Sequence, residues 1–204
     1  MLSEEQAPRL LGSIKVGKTI TSEDGTETEV PLLVGLRDRA LIGVMVYSFA
    51  RISAVIAMEV EDYFSNGKRW WLRFHENGGK RHEMPAHHKL ELFLDEYLDT
   101  AGIRDQGKTP LFRSAAGKTG ILTDRPTHRI DAYQMVRRRT AATGLKGKLG
   151  CHVFRATGIT AYLEAGGTLE NAQATAAHES PRTTKLYDRT GDQITLDEVE
   201  RITI

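Results

Sequence analysis

Cys151-His152-Val153-Phe154-Arg155 places a histidine and an arginine three residues apart, on one face where a helix is expected to open. Ala176-Ala177-His178-Glu179-Ser180 puts a second histidine at a helix end, and Tyr187 follows nine residues after it. Far upstream, Phe49-Ala50-Arg51-Ile52-Ser53 sets an arginine at the break after the most apolar stretch of the chain. Between Arg125 and Arg155 the bases Arg125, Arg129, Arg137, Arg138, Arg139, Lys146, Lys148 and Arg155 face Asp131 alone. Such a stretch suits a polyanion, because each neutralised phosphate releases counterions. From charge alone, a solvated helix face is an equal alternative.

The elements that must position these residues are mostly helical. Ser3 with Glu4, Glu5 and Gln6 reads as a capping box opening a helix that runs to about Ile14. Residues 15–31 are polar and turn-rich, a surface loop or a hairpin. Residues 34–49 form the most apolar helix-length run and are expected at the centre of the core, followed by a short helix over 52–58. The period then changes. Segments 61–64, 69–75 and 81–85, separated by Ser65-Asn66-Gly67 and Asn77-Gly78-Gly79, read as a three-stranded antiparallel sheet. Helices are expected again over 88–100, 127–143, 152–165, 169–177 and 181–188, bounded by Gly144, Gly166-Gly167-Thr168 and Ser180-Pro181. The fold class is therefore α+β, mainly helical with one small sheet.

Composition narrows the class further. The chain has 204 residues, 27% of them charged and 40% hydrophobic, the usual mixture of a folded globular domain. Lys and Arg number 28 against 27 Asp and Glu, so any basic surface is local rather than global. A single cysteine, Cys151, excludes an internal disulfide and disfavours a thiolate metal site, in keeping with a reducing cytoplasm. The acidic start MLSEEQAPRL is unlike a secretion signal, and no apolar run reaches the length of a membrane span.

Taken together, Arg51, a hairpin between two strands, His152-x-x-Arg155, His178 and Tyr187 resemble the tyrosine recombinase, or phage integrase, family. The signature of that family is an early arginine, a hairpin lysine, His-x-x-Arg, and a histidine nine residues before a nucleophilic tyrosine. The resemblance spans nearly the whole chain as a catalytic domain over 1–187, with a C-terminal tail over 188–204. It implies that the N-terminal core-binding domain of longer members is absent. It also implies a bacterial or phage-encoded cytoplasmic enzyme of mobile-element type that breaks and rejoins double-stranded DNA, with no metal, nucleotide or other cofactor.

Phosphoryl chemistry explains why these residue types belong together. Attack on a phosphodiester builds a pentacoordinate, doubly negative transition state, and guanidinium forks on its non-bridging oxygens stabilise charge where it develops. By the resemblance Arg51 and Arg155 supply those forks, Tyr187 is the nucleophile, His152 accepts its proton and His178 bonds the phosphate. A phenol is protonated at neutral pH, so Tyr187 needs that acceptor and a positive field. The resemblance further implies a covalent 3′-phosphotyrosyl intermediate and a free 5′-hydroxyl. Arg137, Arg138, Arg139, Lys146 and Lys148 are the expected DNA contacts.

Two positions depart from the pattern. Where the family carries the lysine that protonates the leaving oxygen, counting back from Pro85 gives Asn77, whose amide cannot serve as an acid. Lys80, in the same turn, is the candidate; a solvated turn lysine and Arg81 remain alternatives. Ala54 stands where many members place an acidic residue. A topoisomerase-like enzyme and a DNA-binding homologue without catalysis are the rival readings. The resemblance also implies a homo-tetramer on DNA, which leaves a monomer in solution open, and a tail that packs on a neighbouring protomer or folds back on its own domain.

Overall fold

The computed structural model describes Leu2 and residues 5–75, 81–144, 150–177 and 181–186. Helix α1 (Gln6–Ser13) buries Ala7, Leu10 and Leu11. It starts later than expected: Glu5 is its N-cap, without a side-chain cap bond, and Ser3 lies outside the described residues. The polar stretch that follows is a two-stranded hairpin, β1 (Gly17–Thr21) with β2 (Glu27–Pro31), in register Gly17 to Pro31 and Thr21 to Glu27.

Helix α2 (Leu33–Ser48) is the axis of the molecule. It is buried on nearly every side and packs against α4 (His88–Ala101) and α6 (His152–Glu164), as a helix apolar all round must. α6 crosses it closely because residue 158 is glycine: a Cβ there would lie 2.2 Å from the Val46 carbonyl oxygen and 2.7 Å from the Phe49 ring. α2 ends on Phe49 in the left-handed conformation (φ 56°), which turns the chain through Ala50 and Arg51 into the short helix α3 (Ile52–Ile56).

The expected sheet is present as β3 (Tyr63–Asn66), β4 (Arg69–His75) and β5 (Arg81–Pro85), all antiparallel in that order. Its first strand begins at Tyr63 rather than residue 61. Val60–Asp62 instead form a 3-10 turn, in which Asp62 accepts the Glu59 N–H at 2.9 Å. The sheet buries Leu72 and Phe74 and stacks Trp70 on Tyr63.

The expectation of one sheet is corrected. The described residues hold three separate sheets, the third being β6 (Arg113–Ala115) with β7 (Leu122–Pro126). This hairpin leads into α5 (Arg129–Ala142); α6, α7 (Leu169–Thr175) and α8 (Pro181–Lys185) complete the order. A main core surrounds α2, and a smaller one joins Phe49, Ile159, Leu163, Ala172 and Ala176 beneath its C-terminal end. No helix among the described residues is long and apolar enough to cross a membrane.

Candidate active site

The end of α2 and the start of α6 bring together three of the residues singled out by the sequence. Arg51 is the half-buried N-cap position of α3, His152 is the exposed first residue of α6, and Arg155 follows one turn later, only 1% exposed. All three line a cleft of about 530 Å³. Arg129 of α5 adds a third guanidinium, and no acidic side chain lines the cleft among the described residues. Its apolar wall is Ile52, Ile130 and Tyr133. Gly150 makes room for that wall, since a Cβ there would come within 3.2 Å of the Tyr133 ring.

Arg155 is held by the backbone. Its Nη1 donates to the Phe49 carbonyl and its Nη2 to the Ala176 carbonyl at 2.6 Å. Phe49 and Ala177, the residue after Ala176, are the two non-glycine residues with positive φ among those described, at 56° and 48°. Backbone held in this region persists only where its surroundings over-determine it. Here the buried guanidinium joins both strained exits. One leads directly to Arg51, the other to the sequence position of His178.

Cys151 also lines the cleft, and burial pushes its thiol pKa up, against a backbone hydrogen bond and the Arg129 charge, which pull the other way. It is therefore a neutral thiol near pH 7 and a poor nucleophile. No group of three or more metal-ligating side chains occurs among the described residues.

The basic run on α5 divides by helix angle. Arg137 and Arg138 are exposed, and the Arg137 guanidinium lies 5.9 Å from the Tyr133 ring centroid. Arg139 turns inward, its Nε and Nη2 donating to Asp38 Oδ2 at 3.0 and 2.7 Å. Asp38 is 1% exposed and also accepts from Arg37, whose Nε and Nη2 lie 3.0 and 2.5 Å from Oδ1. In this arrangement Arg139 ties α5 to α2, whereas the sequence reading grouped it with the DNA contacts.

Lys80, Asn77, Lys146, Lys148, His178 and Tyr187, and the tail over 188–204, lie outside the described residues. Arg81, the alternative to Lys80, is exposed and its Nε sits 3.2 Å from the Glu83 carboxylate. Ala54 is buried in the main core, packed where a carboxylate would need a partner. The sequence reading missed Arg129, Ile130 and Tyr133 as cleft residues and the Arg37–Asp38 pair. Two signals marked them: Ile130 and Tyr133 fall off the buried face of α5, and Arg37-Asp38 interrupts an otherwise apolar helix.

Comparison with known proteins places these observations in a family. The sequence model of the phage integrase family matches residues 26–193. The tyrosine recombinase XerC of Salmonella typhi is 27% identical over 159 residues, covering 76% of this chain and 48% of the relative. The tyrosine recombinase XerD of Mycobacterium tuberculosis (strain H37Rv) is 25% identical over 185 residues, covering 88% of this chain and 57% of the relative. The chain thus spans about half the length of these curated relatives. Among solved structures, XerH site-specific recombinase bound to difH substrate superposes with a TM-score of 0.70 at 20% identity, over 98% of this chain and 53% of that one. A lambda integrase dimer bound to a COC′ core site gives 0.64 at 15% identity, over 96% and 50%. These likenesses establish the tyrosine recombinase catalytic fold.

Proposed function

The chain belongs to the phage integrase family, and from that premise we propose that it is a site-specific recombinase that cleaves and rejoins duplex DNA through a 3′-phosphotyrosyl intermediate. The observation that carries this reading is the convergence of Arg51, His152 and Arg155 on one cleft with a third guanidinium, Arg129, and no lining carboxylate among the described residues. A site of that charge favours a phosphodiester and, more strongly, the doubly negative state formed when it is attacked.

In this reading Arg51 and Arg155 hold the non-bridging oxygens. The Tyr187 oxygen attacks phosphorus and passes its proton to His152, while His178 bonds the phosphate. The P–O5′ bond breaks, and Lys80 protonates the leaving oxygen. Attack by a 5′-hydroxyl of a partner strand reverses these steps and releases Tyr187, so the phosphoester energy is conserved. Arg137, Arg138, Lys146 and Lys148 neutralise flanking phosphates. Four copies assemble on paired sites, with residues 188–204 of each docked on a neighbour. The gene belongs to a phage or mobile element.

The test is a suicide duplex nicked just beyond the scissile phosphate, so that the cleaved fragment escapes, analysed on denaturing gels. Wild type forms a covalent adduct and Tyr187→Phe forms none. Loss of the adduct in Lys80→Ala supports Lys80 as the acid. An adduct from Asn77→Lys but not from wild type identifies a fold disarmed at the hairpin. Absence of an adduct from both, with duplex binding retained, replaces this reading by a non-catalytic DNA-binding protein.

A further inference from the structure

Helix α5 carries a continuous lining from the active-site cleft to a second cavity. Arg129, Ile130 and Tyr133 face the cleft. Tyr133 then shares a shallow groove with Gln134, Arg137 and Arg138. Arg138 in turn is one wall of a separate cavity of about 250 Å³, completed by Arg37, Thr127 and Asp131 with Ser114 of β6 and Gly117 of the turn that follows it. At 100° per residue these side chains succeed one another around the exposed side of the helix, so the cavity lies on the order of 10 Å from the cleft, across the width of one helix.

Two features of the cavity point to an anion. Thr127 is 4% exposed and its Oγ1 has no hydrogen-bond partner among the described residues, an uncommon state for a buried hydroxyl. Two guanidiniums, Arg37 and Arg138, face one carboxylate, Asp131, which lies in the first turn of α5 where the helix dipole favours negative charge. Including the buried partners Asp38 and Arg139 leaves the same balance, one net positive charge. That matches a singly charged phosphodiester better than a dianionic phosphate monoester.

We infer that this cavity is a second phosphate subsite: it takes a backbone phosphodiester of the bound DNA, flanking the scissile one, through the Arg138 guanidinium and the Thr127 hydroxyl. The inference rests on the proposed DNA substrate and adds a defined place where the strand is gripped beyond the cleft. Thr127 reaches the phosphate by rotation about χ1, and its orphan hydroxyl is then the donor that binding satisfies.

The test uses the full chain and a mixed-sequence 30-bp duplex, with affinity followed by fluorescence anisotropy between about 50 and 300 mM KCl. Arg138→Gln weakens binding by about tenfold or more and lowers the salt slope by roughly 0.9, the loss of one phosphate contact. Arg138→Lys keeps the slope and recovers part of the affinity. Thr127→Val weakens binding about fivefold at an unchanged slope, while the melting temperature of the free protein stays the same or rises, because an unpaired buried hydroxyl is removed. The double variant loses less than the product of the two single losses, since both act on one phosphate. Thr127→Val binding as wild type, or losses that multiply independently, overturns the subsite while leaving the proposed function intact. A wild-type chain that binds no duplex overturns the proposed function, and the subsite with it.

Discussion

Replacing Arg155 with methionine separates what its guanidinium does for the fold from what it does for chemistry. The side chain is 1% exposed and bonds two carbonyls far apart in sequence, Phe49 O and Ala176 O. Hydrogen bonds from a charged donor contribute about 1.5–3 kcal/mol each. Methionine keeps much of the side-chain volume but leaves both carbonyls unpaired. Two such losses, less the burial penalty that a guanidinium no longer bears, amount to about 2–4 kcal/mol. At a urea m value of about 2 kcal/mol/M the unfolding midpoint falls by roughly 1–2 M. Arg155→Lys retains the charge and reaches one carbonyl, so it recovers about half of that fall. Equilibrium urea unfolding followed by far-UV circular dichroism and by Trp70 and Trp71 fluorescence reads both variants. A residue that serves chemistry alone leaves stability unchanged or raises it when removed. A methionine variant with the wild-type midpoint or a higher one would therefore refute the clamp.

Asp38→Asn leaves Arg37 and Arg139 facing a neutral amide, and unfolding in urea should show a loss of about 2–4 kcal/mol; an unchanged midpoint would mean that the pair does not hold α5 to α2. Gly158→Ala forces a Cβ to within 2.2 Å of the Val46 carbonyl. It should cost about 1–3 kcal/mol by the same assay, with slower adduct formation as α6 is displaced from Arg51. His87 caps α4 by accepting the Lys89 N–H on Nδ1, and burial together with His88 and Lys89 holds its pKa below the usual histidine value. The unfolded chain then binds the proton more readily. The contribution is complete above about pH 6.5 and is lost as pH falls through the lower folded pKa. His87→Asn, which caps without titrating, should flatten the stability profile below about pH 6.5; a profile as steep as that of wild type would assign the pH dependence to other groups.

How far the fold is legible depends on whether an element's reasons lie within its own sequence. α2 is apolar over helix length, α4 sets Leu90, Leu94, Tyr97 and Leu98 on one face, and β4 and β5 are flanked by turn residues, so the strands expected over 69–75 and 81–85 coincide with those observed. The β6–β7 hairpin is not visible in this way. Its first strand is Arg113-Ser114-Ala115, and Arg113 is buried only because Asp124, Gln106 and Thr109 satisfy its guanidinium. Nothing local to that tripeptide signals a strand. Likewise the 3-10 turn at Val60–Asp62 depends on the Glu59–Asp62 capping exchange and on bonds from Val60 and Glu61 to the chain near residue 108, which strand propensity does not register.

The site shows the same division in a sharper form. His-x-x-Arg is legible because one helical turn fixes its spacing, and Arg51 because it follows a helix break. Charge counting, by contrast, treats Arg137, Arg138 and Arg139 as equals. Ala132, Met135, Val136 and Thr140 are the buried positions of α5, and residue 139 falls on that same three-and-four grid, whereas 137 and 138 do not. The inward turn of Arg139 is thus written in the helix period, but its stability is not, because its carboxylate partner stands 101 residues away in α2. A charged residue on an apolar grid position predicts a buried counter-charge somewhere else in the chain, and here that counter-charge interrupts the most apolar helix of the molecule. Such pairs of local anomalies, an arginine on a buried stripe and an aspartate inside a core helix, point to a tertiary contact from the amino-acid order alone. They also separate the basic residue that builds the frame, Arg139, from Arg137 and Arg138, which the same helix leaves exposed.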